Sequence, residues 1–145
     1  FPVGAVIARR DIGEAMGPGS HGSTFGGNPL AMAVANAVLD GLEEDGFLVT
    51  VRERIASLDS YLTKLQHVWP EKIIELRGAG LLRGLRLGDD IAVGEVTRAL
   101  RDKYLLCVPA ADNVLRLLPP LTISEDELAI AQSALEHFFS EVAAT

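Results

Sequence analysis

An α/β chain in two parts is what the sequence predicts, on three observations. Residues 2–8, Pro-Val-Gly-Ala-Val-Ile-Ala, make a short apolar run with no polar face, the pattern of a strand covered on both sides in a parallel sheet. Residues 29–44 read as a helix that is apolar on nearly every side, whereas residues 47–66 carry a narrower apolar stripe with charges opposite. From residue 73 onward short strand patterns alternate with helical ones, as in a small α+β domain. The boundary is placed near residue 45. Residues 1–45 then form the tail of a larger domain, and residues 46–145 a small domain with a short sheet packed by helices.

Each element has its own local reason. After the apolar run, residues 9–18 contain Gly13, Gly17 and Pro18 and read as a turn or short helix. Asn28 is a competent helix N-cap, and Pro29 fits the first helical position because its N–H would have no partner there. A helix so uniformly apolar must be covered by neighbours or by another subunit. Asp45-Gly46 breaks it. In 47–66, Leu48, Val51, Ile55, Leu58, Leu62 and Leu65 recur three or four apart, so they share one face. Residues 73–77 and 81–87 read as two strands around a glycine-containing turn, 91–104 as a short helix, 105–108 and 114–118 as strands, and 109–113 as a turn. Pro119-Pro120 ends the last strand. Ser124 and Glu127 have the spacing of a capping box, opening a final helix to about residue 142 that buries Leu128, Ala131, Leu135 and Phe138.

Composition narrows the function classes. With 145 residues, 48% of them apolar, the chain can build one real core. A net charge of −7 argues against nucleic acid and against an anionic membrane as partners, though not against a small anion held by local fields. The single cysteine, Cys107, excludes an internal disulfide and suits a reducing, cytoplasmic setting; its surroundings, Leu-Leu-Cys-Val-Pro, are those of an inert buried thiol. The three histidines, His21, His67 and His137, have no metal-ligand spacing, so no metal is expected. Phe1 opens inside an apolar run, and the chain therefore reads as a portion of a longer protein.

Two places carry chemistry. Gly19 to Ala33 packs glycines, three hydroxyl side chains and His21 ahead of the Asn28 cap. Glycines permit close backbone approach, and a helix start offers N–H groups and the positive end of the macrodipole, so the loop suits a phosphate. The other reading is a glycine-rich turn whose Ser23 and Thr24 serve only the local backbone. Gly78, Gly80 and Gly84 are not a dinucleotide fingerprint, since the third glycine comes one place late and a strand follows. Arg116, in Val-Leu-Arg-Leu-Leu-Pro-Pro, leaves the leucine face of its strand. It either pairs with a carboxylate of the protein or waits for one on a ligand, which its planar fork can grip with two hydrogen bonds.

His21-Gly-Ser-Thr-Phe-Gly-Gly-Asn-Pro-Leu-Ala31 resembles, residue for residue, a segment of the class III (ornithine-type) aminotransferases. Residues 1–8, the Arg-Gly-x-Gly-Leu-x-x-Gly pattern of 77–84, and 113–123 are similar to the same family, within which the likeness is greatest to members acting on acetylornithine. The resemblance implies the tail of a large domain of the fold type I pyridoxal-phosphate transferases followed by the small domain. It implies pyridoxal 5′-phosphate as cofactor, with Ser23 and Thr24 on its phosphate and Thr24 reaching across a homodimer into a shared active site. It also implies that Arg116 binds a substrate carboxylate, and that the parent moves the amino group of N-acetylornithine to 2-oxoglutarate in arginine biosynthesis. Ornithine, succinylornithine and 4-aminobutyrate are the alternative donors within the family. Such chemistry needs a lysine amine at the cofactor. Lys64, Lys72 and Lys103 do not sit beside the loop in sequence, so no catalytic residue is assigned in this chain, and it is expected to be inactive alone. The competing reading is a non-catalytic α/β module that binds a phosphorylated ligand or a partner protein.

Overall fold

The computed structural model describes residues 1–143. The chain divides into two units, Phe1–Leu48 and Val49–Thr145.

The first unit is helical and largely exposed. Residues 1–9 form no strand, and Val6 and Ile7 are almost fully open, at 93% and 99%. This corrects the expectation for 2–8. A strand exists only through pairing, and no strand of this unit lies among the described residues to pair with it. Helix α1 (Arg10–Glu14) is a single short turn of chain, followed by bends through residue 27. Helix α2 (Pro29–Glu43) starts where the sequence predicts: the Asn28 side chain accepts a hydrogen bond from the Ala31 N–H at 2.9 Å, and proline follows the cap. Ala31 is buried, but Leu30, Val38 and Leu39 remain more than half exposed.

The second unit is built on a four-stranded antiparallel sheet of order β1-β2-β4-β3. Its elements are α3 (Phe47–Val68, whose first residues belong to the first unit), β1 (Ile73–Ala79), β2 (Leu82–Leu87), α4 (Val93–Asp102), β3 (Val108–Ala110), β4 (Val114–Leu117) and α5 (Glu125–Ala143). Leu85, Leu87, Leu115 and Leu117 alternate with polar or small residues, so one sheet face is leucine and buries against the helices. Ile73 and Leu76 are three apart and would face opposite ways in a regular strand. A register shift between Ile73 and Glu75 turns Ile73 onto Leu87, where it is fully buried.

The helices close this core from one side. Val51, Leu58, Leu62 and Leu65 of α3 and Leu128, Leu135 and Phe138 of α5 are buried as their spacing predicts, and Ile55 and Ala131 partly so, whereas Leu48, placed on the same stripe by its spacing, is 47% exposed. Tyr61 and Phe139 join them. The Tyr61 hydroxyl donates to the Gln132 carbonyl at 2.7 Å, which lets a polar aromatic sit at the α3–α5 contact. The capping box is formed: Ser124 N–H donates to Glu127 Oε2 at 2.9 Å, and Glu127 N–H to Ser124 Oγ at 3.2 Å. Two elements differ from expectation. The strand placed at 105–108 is instead Val108–Ala110, and Pro109 lies within it rather than opening a turn. Because β3 is an edge strand, a proline without an N–H is tolerated there.

Candidate functional site

In the first unit, Ser23 and Thr24 lie on exposed turns ahead of α2. Their hydroxyls make no hydrogen bond among the described residues. Gly26 lies over Ser23: a Cβ at 26 would stand 3.2 Å from Ser23 Cβ and 3.5 Å from Ser23 Oγ. Glycine there leaves the hydroxyl open. Gly19 and Gly27 have φ of 81° and 70°, values that side chains other than glycine's resist.

The helix start is less rich in donors than its sequence suggests. Pro29 has no N–H, the Ala31 N–H is taken by Asn28 Oδ1, and the Met32 N–H by the Asn28 carbonyl at 3.1 Å. Leu30 alone keeps an uncommitted N–H in that turn. An anion at this loop would therefore be held chiefly by the two hydroxyls and turn N–H groups. His21 Nδ1 lies 3.3 Å from Ser20 Oγ, a local contact on the surface.

Lys72 Nζ pairs with Asp90 at 2.5 Å and Lys103 Nζ with Glu141 at 3.1 Å, while Lys64 is exposed on α3. All three belong to the second unit, none to the loop's unit. The hydroxyls, glycines and helix start of this loop fit the phosphate end of a pyridoxal cofactor, and residues 1–48 contain no lysine.

Arg116 lies on the sheet of the second unit, on the face opposite the leucines. It is exposed, and its guanidinium makes no ion pair or hydrogen bond among the described residues. Its cross-strand neighbours are Gly84 on β2 and Val108 on β3, and Gly84 in turn faces Arg77 on β1.

Around Arg116 is a charge network that the sequence alone does not disclose. Arg77 pairs with Glu75 and with Asp112, both at 2.7 Å. Arg86 Nε lies 3.6 Å from the same Asp112 oxygen, and Arg86 Nη2 3.8 Å from Asp89. The hydrogen bond from Arg77, with that guanidinium's charge, holds the Asp112 carboxyl below its ordinary range, and Arg86 adds to the effect. Glu75 first and Asp112 second raise the Arg77 guanidinium further above its usual value. Asp112 sits in the β3–β4 turn with φ 63°, beside Asn113 at 54°. Aspartate and asparagine tolerate that backbone better than most side chains, and the Asp112-Asn113 pair is the sequence signal for it.

Asn113 fastens the turn. Its side-chain oxygen accepts from the Val93 N–H at 2.9 Å, and its amide nitrogen donates to the carbonyls of Ile91 at 2.8 Å and Gly88 at 3.1 Å. Ala92, at the N-cap of α4, has no capping side chain, so Asn113 supplies the cap from across the fold. The residue three places before Arg116 thus fixes where β4 begins.

An apolar cavity of about 250 Å³ between α3, α5 and residues 117–123 contains none of these groups. Its polar neighbours are already engaged, Tyr61 with Gln132 and Glu127 with Ser124, so it offers packing rather than chemistry. Cys107 is partly buried, and burial raises its thiol to about 11, the condition of an unreactive cysteine. No metal-binding group of side chains occurs among the described residues, and no helix there is long and apolar enough to cross a membrane.

Comparisons with known proteins place these features in context. Residues 1–139 match the family model of the class-III aminotransferases. The chain is 47% identical over 128 residues to the acetylornithine aminotransferase of Mesorhizobium japonicum, covering 88% of this chain and 32% of that protein. It is 42% identical over 140 residues to the acetylornithine aminotransferase of Streptococcus mutans, covering 97% and 36%. Among solved structures, the ornithine aminotransferase of Toxoplasma gondii superposes with a TM-score of 0.81 at 31% identity, over 96% of this chain and 34% of that one. The acetylornithine aminotransferase of Elizabethkingia anophelis gives 0.77 at 34% identity, over 93% and 36%. The chain spans about a third of the length of the relatives it matches.

Proposed function

The chain belongs to the class-III aminotransferases, and from that premise we propose that it is part of a pyridoxal-phosphate enzyme moving the amino group of N-acetylornithine to 2-oxoglutarate. The observation that carries this reading is 42% to 48% identity to acetylornithine aminotransferases over 88% to 97% of the chain. Residues 1–45 are assigned to the large cofactor domain and 46–145 to the small domain. The parent acts as a cytoplasmic homodimer in arginine biosynthesis, with Thr24 serving the partner's site and the exposed apolar side of α2 covered in the assembly.

When bound, pyridoxal 5′-phosphate supplies the electron sink for transamination. The hydroxyls of Ser23 and Thr24 would hold its phosphate by donating hydrogen bonds, and the Leu30 N–H would add the positive end of α2. Gly26 keeps that approach open. Arg116 grips a substrate carboxylate through two parallel hydrogen bonds and so fixes how the reacting carbon is presented. With Lys72 and Lys103 in ion pairs and Lys64 on a solvated helix face, the chain alone does not transaminate.

The test uses the full-length enzyme containing this chain. Thr24→Ala removes a hydrogen bond to a charged group, worth about 1.5–3 kcal/mol, so the cofactor should dissociate roughly 10- to 150-fold more readily. Arg116→Ala should raise KM for the oxo acid, with N-acetylornithine preferred over ornithine, succinylornithine and 4-aminobutyrate. Unchanged cofactor retention together with unchanged KM would overturn the assignment of both sites.

A further inference from the structure

One residue on the sheet face that carries Arg116 does not match its surroundings. Strand alternation puts Val114 on the same side as Arg116, away from Leu115 and Leu117, yet Val114 is buried, at 7% exposure. The register sets Arg77, Gly84, Arg116 and Val108 in one row across the four strands, with Arg86 and Val114 opposite each other in the row beside it.

Gly84 and Val114 explain one another. Gly84, directly across from Arg116 on β2, does not have a positive φ, so backbone conformation does not call for glycine there. Space does. A Cβ at 84 would stand 2.8 Å from Val114 Cγ1, closer than carbon atoms pack, whereas Arg77 Cβ at 3.6 Å would be an ordinary contact. The Val114 side chain therefore leans diagonally into the room that Gly84 leaves. From beside Gly84 the Arg77 side chain runs to Asp112, which it pairs at 2.7 Å in the turn before Val114. Its stem passes over the valine on the way and accounts for that burial.

Valine is stiff about χ1, so a valine wedged there is a fixed wall. On the β2 side the stem of Arg116 meets that wall, and on the β3 side its opposite neighbour is Val108, also β-branched. A long arginine stem loses rotamer freedom only where neighbours take it away. A guanidinium displaced by about 1 Å carries the reacting carbon of its bound substrate out of place with it.

We propose that Val114, seated over Gly84, is a positioning residue for substrate binding: it closes the β2 side of Arg116 and so fixes where that guanidinium meets a substrate carboxylate. The proposal rests on the reading of Arg116 as the carboxylate-binding residue. Val114 touches no substrate. It acts on the stem, whichever carboxylate the fork is holding.

The test uses the full-length enzyme and reads three quantities: KM for the oxo acid, kcat, and the dissociation constant of glutarate, an unreactive dicarboxylate, by titration calorimetry. Gly84→Ala pushes Val114 off its seat, and Val114→Ala removes the wall. Each should raise KM and weaken glutarate binding about tenfold while leaving kcat within about twofold. Combining the two should return both constants to within about twofold of the wild type, because the new methyl at 84 takes the space the valine methyls vacate. Val114→Thr, which keeps the shape, should keep the wild-type constants. A single alanine variant with wild-type KM overturns the proposal even if urea unfolding shows it destabilised, since Val114 is then packing only. A double variant no better than the worse single one overturns it too, as does a threonine variant that binds glutarate as weakly as Val114→Ala. Should Gly84→Ala fail to fold, Val114→Ala against Val114→Thr carries the test. Arg116→Ala separates the two ideas: an unchanged KM there defeats the carboxylate reading itself, whereas a raised KM there with unmoved constants in the Val114 variants defeats only the role of Val114.

Discussion

Asn113→Ala is the perturbation that most directly examines how the Arg116 strand is held. Asn113 uses its whole amide: the oxygen accepts from Val93 N–H at 2.9 Å, and the nitrogen donates to Ile91 and Gly88 carbonyls at 2.8 and 3.1 Å. Each such bond contributes about 0.5–1.5 kcal/mol net, and the three partners are only part-buried, so water recovers some of the loss; about 2 kcal/mol is the expected total. Alanine at a φ of 54° adds left-handed backbone strain of about 1 kcal/mol. The sum is about 3 kcal/mol, a large fraction of a small domain's stability. Asn113→Gly loses the same bonds but not the backbone's ease, and should be about 1 kcal/mol more stable than the alanine variant. Urea unfolding followed by far-ultraviolet circular dichroism measures both, with an unchanged slope showing that the unfolded reference is the same. An alanine variant within about 0.5 kcal/mol of the wild type, or one as stable as the glycine variant, would refute the reasoning.

The remaining predictions concern the hairpin and the last helix. Gly78→Ala should destabilise severely, by more than about 3 kcal/mol, because its Cβ would fall 2.1 Å from the Leu82 carbonyl oxygen at a φ of 97°. Gly80→Ala, at φ 60° and with its nearest outside atom 3.9 Å away, should cost only about 1 kcal/mol; equal losses on urea unfolding would contradict the steric argument. At the start of α5, Ser124→Ala should cost about 1 kcal/mol at neutral pH. The Ser124 N–H, and then its hydroxyl, hold the Glu127 carboxyl below the ordinary glutamate range. Its contribution is therefore full above the unfolded value and lost as pH falls through the lower folded one, so the stability gap between wild type and Glu127→Gln should close on acidification. A gap that widens toward low pH would show that Glu127 does not act as an ionised cap.

What could be read from the sequence was what depends on neighbours a few positions away. The Asn28 cap, the Ser124–Glu127 box and the leucine stripe of α3 each involve residues three or four apart, and all three are formed. Arg116 was legible for the same reason, since strand alternation alone takes it off the leucine face. Ser23 and Thr24 were different: spacing left a phosphate loop and a plain turn both open, and only likeness to a family favours the first. The segment 2–8 shows the opposite limit. Its apolar pattern states that it would be covered if it were a strand, but a strand's hydrogen bonds go to another segment, and none is at hand in its unit.

The charge network fails to show in the sequence for a related reason. Arg77, Arg86 and Asp112 lie up to 35 positions apart, and they meet only because β4 enters the sheet beside β2 and not beside β1. Sequence pattern puts each arginine on the polar face of its own strand; it cannot say which of them will find an anion there. That distinction is what the topology adds. It brings Arg77 and Arg86 onto one carboxylate, and it does so through a residue, Asp112, whose type alone indicates nothing beyond a turn. A search for charged residues would rank Arg77, Arg86 and Arg116 alike, and the pairing geometry is what sets apart the two that share Asp112.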